Sequence, residues 1–270
     1  MILFAEIKNA CKNYPFKSIA GNFFSWLISD AYIVSFRKSG RTWLRIMIAK
    51  AISLQYDIPK IQLDTQYMSL FTSAPNIVFS HGGSNKPNNG INFRRWLKGK
   101  KLILLVRDPR DDIVSLYHDY TVRHPKISMS ISGFVRHEQL GINYTLNYMN
   151  EWATELEKRK NPALLIRYED LKQDAQRELI RALDFLQIPH TTEIIKKAVE
   201  FGSFENMRKM ELSNQFKDSR LQTSNKSDAN AFKTRKGRAG SYKEELCPED
   251  ILFVNKEMNT RLNPVFRYYF

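Results

Sequence analysis

Acidic residues are scarce in this sequence: 28 Asp and Glu face 42 Lys and Arg over 270 residues, a formal net charge of +14. The imbalance calls for an acidic partner, which can be nucleic acid, a membrane surface or a multiply charged small anion held in a basic cleft. Charge alone does not choose among them. Cysteine is scarcer still. Cys11 and Cys247 are the only two, far apart and in no metal-ligand spacing, which excludes a disulfide framework and a zinc site and fits a reducing, cytoplasmic compartment. Long apolar runs are also missing. Lys8, Lys12 and Lys17 interrupt Ile2, Leu3, Phe4 and the later Phe23, Phe24, Trp26, Leu27 and Ile28, so no membrane span and no cleaved leader is expected, only an N-terminal helical segment over 1–30.

A hydrophobic content of 43% is enough to bury a sizeable core, and one domain over 1–270 is expected. There is no internal repeat and no low-complexity tract. Four short apolar runs read as buried strands: Tyr32 to Phe36, Asn76 to Ser80, Lys101 to Val106 and Ala163 to Tyr168. Helical patterns lie between and after them, at Thr42 to Leu54, Asn147 to Lys160, Asp170 to Leu186 and Thr192 to Phe201. Another starts at Asp108, with Pro109 behind the cap and Asp111 and Asp112 in the first turn. Strands alternating with helices predict an α/β fold with a central, mostly parallel sheet flanked by helices, whose ligands sit at the carboxyl ends of the strands. From Met207 to Tyr242 the pattern fails, giving either a lid or a disordered stretch, before a last helix from Pro248 to just short of Asn263-Pro264.

The nonamer "SFRKSGRTW", 35–43, follows the first strand and enters a helix. Such a turn points backbone N–H groups at whatever lies over the helix N-terminus and so favours an anion. Ser39, Gly40 and Thr42 offer close backbone approach and a hydroxyl, and Lys38 a mobile point charge. The metal-dependent nucleotide-hydrolase pattern G-x-x-x-x-G-K-[ST] is absent: the first glycine is missing, the lysine precedes the Ser-Gly pair, and Arg41 follows Gly40.

"FRKSGRTW" resembles the phosphosulfate-binding loop, commonly Y-P-K-S-G-T-T-W, of sulfotransferases that use 3′-phosphoadenosine 5′-phosphosulfate (PAPS). Four further segments are similar to that family in the family's order. "LLVRDPRDDIVSLYH" (104–118) resembles its 3′-phosphate segment, an arginine followed eight positions later by a serine, here Arg107 and Ser115. "RYEDLK" (167–172) resembles the Y-E-D-L stretch, "GSFENM" (202–207) the Ser-Phe segment near the adenine, and "RKGRAGSYK" (235–243) the R-K-G-x-x-G-D-W-K loop. "FSHGG" matches K-T-H-L-P at the histidine, His81.

The resemblance implies a P-loop-NTPase-like sulfotransferase fold of the cytosolic type, in a bacterial setting, with PAPS as donor, adenosine 3′,5′-bisphosphate (PAP) as product and no metal requirement. It implies that Lys38, Ser39, Gly40, Arg41 and Thr42 surround the phosphosulfate, and that Arg107, Ser115, Arg235, Lys236 and Gly237 surround the 3′-phosphate. Trp43 and Phe204, with Ser203 beside it, would hold the adenine, and Tyr168 its edge. His81 would be the base, Lys38 would neutralise the leaving phosphate, and Ser115 would hold Lys38 until the acceptor binds. His118 reads as packing, and His124, His137 and His190 have no evident partners or metal-site spacing. Two departures stand out. Phe79 occupies the place of a second active-site lysine, and Arg41 that of the loop's first threonine, where it is a candidate for the missing positive charge. The acceptor pocket is expected from Asp64 to Pro75, Ser84 to Lys98, Tyr120 to Tyr148 and the 207–242 lid. Their mix of aromatic and polar residues suits a small-molecule acceptor, such as a specialised metabolite or a glycan, at a hydroxyl or an amine. No copy of the family's K-x-x-x-T-V-x-x-x-E dimer motif is evident, so oligomeric state stays open. A nucleotide kinase on the same sheet and turn, and a basic nucleic-acid binder, are the other classes. The second would need basic residues spread on one face, whereas the recognisable ones cluster at predicted strand ends.

Overall fold

The computed structural model of the chain describes residues 28–69, 72–83, 94 and 97–269. The anticipated N-terminal helical segment, apart from residues 28–30, lies outside the described residues, as does part of the anticipated acceptor pocket (70–71, 84–93, 95–96). Four strands form the sheet: β1 (Ala31–Ser35), β2 (Ile77–Ser80), β3 (Lys101–Val106) and β4 (Ala163–Arg167). They run in the order β2-β1-β3-β4, and every pairing is parallel. These are the four runs read from sequence, and the α/β fold with a parallel central sheet is the fold observed.

Because side chains alternate along a strand, each strand feeds both faces of the sheet. Tyr32, Val34, Leu102, Leu104 and Val106 pack beneath α3 (Pro109–His118), α5 (Ile142–Lys158) and α10 (Pro248–Arg261). Ala31, Ile33, Ile103, Leu105 and Ile166 pack on the opposite face, against α1 (Arg41–Gln55), α7 (Ala175–Leu186) and α8 (Thr192–Phe201). Two short helices, α2 (Gln66–Ser69) and α4 (Ile131–Arg136), and a π turn over Asp119–Arg123 that extends α3, complete the region before β4.

Two expectations need correction. The helix anticipated over Asp170–Leu186 is two helices, α6 (Tyr168–Gln173) and α7, broken at Asp174. Asp174 leaves the helical region at φ −147° and ψ 88°, and its carboxylate accepts from the Arg177 amide at 2.9 Å. A short acidic side chain competes for backbone donors in this way and restarts the helix instead of continuing it. The pattern does not fail at Met207 either, because α9 (Phe204–Ser213) runs through it. The chain beyond α9 is irregular yet heavily bonded: Arg123 donates to the carbonyls of Ser219 and Gln222, and Ser224 donates to that of Arg123.

Candidate active site

All four strands deliver a candidate residue at their carboxyl ends. In register, Val34 lies beside Ser80, Ser35 beside Leu105 and Val106 beside Arg167. The residues that follow, Lys38 to Trp43, His81, Arg107 and Tyr168, therefore emerge side by side, and all but Ser39 line one cleft of about 910 Å³ counting its open mouth. Ser115, Phe204, Arg235, Lys236 and Gly237 line it as well. The two anticipated residues that do not are Ser39 and Ser203. The buried Ser39 hydroxyl donates to Asp112 at 2.8 Å, and Ser203 caps α9 by accepting from the Asn206 amide, so both shape the walls from behind.

The turn after β1 is built for an anion. Gly40 caps α1 at φ +91° without any side-chain hydrogen bond, and the first turn carries no acid. A Cβ on Gly40 would lie 2.6 Å from the Tyr168 ring, so only glycine lets the turn approach that ring. Opposite, Gly237 holds φ +62°, and a Cβ there would lie 2.4 Å from the Phe204 ring. Trp43 meets Tyr168 edge to face at 5.9 Å, and both rings line the cleft together with Phe204.

In the cleft, Arg107 is stacked on the Tyr168 ring at 4.3 Å, pairs with Asp111 at 3.5 Å and donates to the carbonyls of Lys38 and Arg238. Its Nε is buried without a partner among the described residues. Arg235 and Lys236 line the cleft too, held by Glu245 at 2.6 and 2.7 Å, while Lys236 also reaches Glu244. Burial works to raise Glu245, but His118, Lys236 and Arg235 bring it down to about 2. The far end of this loop is tied to α3 by Asp111, whose carboxylate accepts from Gly240 N, Ser241 Oγ and Tyr242 N. Ser241 and Tyr242, where Asp-Trp is usual in the resembled family, thus keep the loop docked.

In the turn after β1, Lys38 holds the left-handed φ of +71°, and its ammonium pairs with Asp119 at 2.8 Å. Burial lowers Lys38 and Asp119 opposes the drop. Asp119 is itself held below the usual carboxylate range despite its burial, chiefly by Lys38. The anticipated holder of this lysine, Ser115, lies one turn before Asp119 on the same face. The carboxylate is the charged partner, and the ammonium sits there.

His81 Nδ1 lies 3.2 Å from the Ser35 carbonyl, which assigns its proton to Nδ1, and Nε2 then accepts from Arg41 Nη2 at 2.6 Å. Burial, and after it the Arg41 charge, hold His81 well below the ordinary histidine range. Burial also brings Arg41 down to about 10, and its Nη1 is buried without a partner among the described residues. The remaining histidines stay outside this constellation: His118 pairs with Glu245, His124 lies 3.6 Å from Asp119 and His190 3.7 Å from Asp184.

Set against known protein families, the chain matches the sulfotransferase domain over residues 29–264. This protein belongs to the sulfotransferase domain family. It is the family of PAPS-dependent enzymes that the five motifs resemble, and the chain is a sulfotransferase. Among its relatives are cytosolic sulfotransferase 15 of Arabidopsis thaliana, 26% identical over 84% of this chain and 70% of the relative, and sulfotransferase 1E1 of Rattus norvegicus, 26% identical over 68% of each. Solved structures share the fold. Mouse sulfotransferase SULT7A1, determined with PAP, superposes with a TM-score of 0.59 at 19% identity, covering 86% of this chain and 84% of that one. Retinol dehydratase, determined with retinol and PAP, gives a TM-score of 0.58 at 19% identity over 88% and 82%.

Sequence reasoning missed several side chains of the candidate site, among them Asp119, Lys172 and Lys233. Lys172 stands 5.3 Å over the Trp43 ring, and Lys233 lines the cleft. The first two had a signal in the sequence, since Asp119 is four residues after Ser115 on a helix and Lys172 closes the RYEDLK segment. Lys233 had none, being one of several cations in a basic stretch.

Proposed function

We propose that this sulfotransferase moves a sulfuryl group from PAPS to a hydroxyl or amine of a small-molecule acceptor, and that it works in the cytoplasm. Support for the location comes from the relatives named cytosolic and the two lone cysteines; no helix among the described residues is long and apolar enough to cross a membrane. The observation that carries the reading is one cleft lined by two separately anchored basic groups. Arg107, Arg235 and Lys236 are held by Asp111 and Glu245, Lys38 is held by Asp119 with Arg41 on His81, and Trp43 and Phe204 line the same cleft. That set fits a donor with charge at both ends of an adenosine, and the buried, unpartnered Arg107 Nε and Arg41 Nη1 fit it too.

Arg107, Ser115, Arg235, Lys236 and Gly237 would take the 3′-phosphate, and Lys38, Ser39, Gly40, Arg41 and Thr42 the phosphosulfate, with the Ser39 side chain acting by bracing the loop. Trp43 and Phe204, the latter set by the Ser203 cap, would flank the adenine beside Tyr168. Bound PAPS supplies an activated sulfuryl group on a phosphate leaving group. His81 Nε2 then takes the acceptor's proton, which requires Arg41 to yield that nitrogen to the acceptor, and Lys38 leaves Asp119 to neutralise the departing phosphate oxygen. The Asp119 pair keeps Lys38 from doing so prematurely, the part first expected of Ser115.

Thermal stabilisation by PAP, compared with ATP plus magnesium and with single-stranded nucleic acid, tests the assignment. PAP is expected to raise the Tm and the other two to leave it near its starting value; a preference for either of them would overturn the reading. Full transfer activity in His81→Ala would remove His81 from the base's role.

A further inference from the structure

Lys233 sits on the chain that leads into the Arg235–Gly237 loop, and its backbone is fixed from behind. Glu211 of α9 accepts from the amides of Lys233 and Thr234 at 2.5 and 3.0 Å and from the Thr234 hydroxyl at 2.8 Å. With the main chain so anchored, the side chain enters the cleft and shares its wall with Lys38, Arg41 and His81. Among the described residues no carboxylate stands within ion-pair distance of its ammonium. Asp119, an acid whose charge acts on it, is engaged by Lys38 and Arg123. Its other charged neighbours, Lys38, Arg123 and Arg41, are all cations. Burial and these repulsions hold Lys233 well below the ordinary lysine range. A half-buried cation in a basic cleft without a paired carboxylate is destabilising, so its counter-charge is to be sought in a ligand.

Which part of the ligand follows from what Lys233 acts on. Its charge is felt by His81 and Asp119, and its strongest charged neighbour is Lys38. Arg107 answers instead to Tyr168, Asp111, Asp112 and Glu169. Phe79, the strand residue in the place of the family's second lysine, has its ring covered by the Arg45 guanidinium at 4.4 Å and offers no charge.

We propose that Lys233 is the second active-site cation of this sulfotransferase, contacting the oxygens of the transferring sulfuryl group from the 3′-phosphate loop. The inference rests on PAPS being the donor. In the transfer, the acceptor oxygen or nitrogen bonds to sulfur as the bond from sulfur to the bridging oxygen breaks. The electron pair leaves with the phosphate and the acceptor's proton passes to His81. The sulfuryl oxygens carry negative charge throughout, and Lys233 meets it while Lys38 meets the charge growing on the bridge.

Calorimetric titration of the full chain with PAPS and with PAP, for wild type, Lys233→Met and Lys233→Arg, separates this role from others. Lys233→Met is expected to bind PAPS about tenfold more weakly and PAP within about twofold of wild type, and Lys233→Arg to recover most of the loss. It is also expected to be at least as thermally stable as wild type, because an uncompensated cation is gone. Equal weakening of both ligands, or no change in either, would overturn the inference; the second result would mean that Lys233 reads the acceptor instead. A wild-type chain that binds neither ligand overturns the donor assignment, and this inference with it.

Discussion

His81 gives its Nδ1 proton to the Ser35 carbonyl and receives a hydrogen bond from Arg41 at Nε2, so both ring nitrogens are committed while the imidazole stays neutral. Burial and the Arg41 charge depress its protonation, and a depressed base remains available at lower pH. The imidazole of His81, followed by NMR titration, is therefore expected to remain neutral well below pH 6.5, the ordinary histidine value. In Arg41→Met one cause of the depression is lost, and protonation is expected to set in at higher pH than in wild type. Identical titrations in the two proteins would show that the guanidinium does not set the state of this base. His81 was legible from its place after an apolar run and before two glycines. The partner on Nε2 was not, because Arg41 lies forty residues away in the chain and only the pairing of β1 with β2 brings the two together.

At the level of elements, the loop carrying Lys233, Thr234, Arg235, Lys236 and Gly237 is positioned by two carboxylates from helices on different sides. Glu211 of α9 holds its start and Asp111 of α3 its end. Removing the first leaves a buried amide donor at Thr234 unpaired and frees the loop residues that line the cleft. Glu211→Ala is expected to destabilise the protein by about 2 to 4 kcal/mol in urea unfolding, from two backbone hydrogen bonds to a charged group. PAP affinity is expected to fall more than tenfold along with it; unaltered PAP affinity would mean that the loop keeps its place without the anchor. Helix starts at Asp108-Pro109 and Cys247-Pro248 could be read directly, since capping and a first-turn proline are local chemistry. The break at Asp174 could not, because its flanks, Leu171 and Leu179, suit one continuous amphipathic helix as well as two.

For the whole molecule, the excess of positive charge acts over distances that single contacts do not reach. A chain of net charge +14 whose cleft is lined by several lysines and arginines should draw in a polyanionic donor by long-range attraction. The association rate of PAP, followed by quenching of Trp43 fluorescence in stopped flow, is expected to fall several-fold between about 10 mM and about 150 mM salt, as the screening length shrinks from about 30 to about 8 Å. The dissociation rate should change much less, because the bound phosphates sit against buried groups; a salt-independent association rate would refute the steering. The parallel sheet, the helices on both its faces and the Ser-Gly turn after the first strand were determined by the sequence alone, because apolar runs, caps and turn residues act through near neighbours. Tertiary structure alone decided that Lys38 rests on Asp119, that Arg41 covers His81 and that Lys233 enters the cleft uncompensated. Each of these joins side chains far apart in sequence, and no local pattern records which of the many cations in a basic chain will be left without a counter-ion once the strand ends converge.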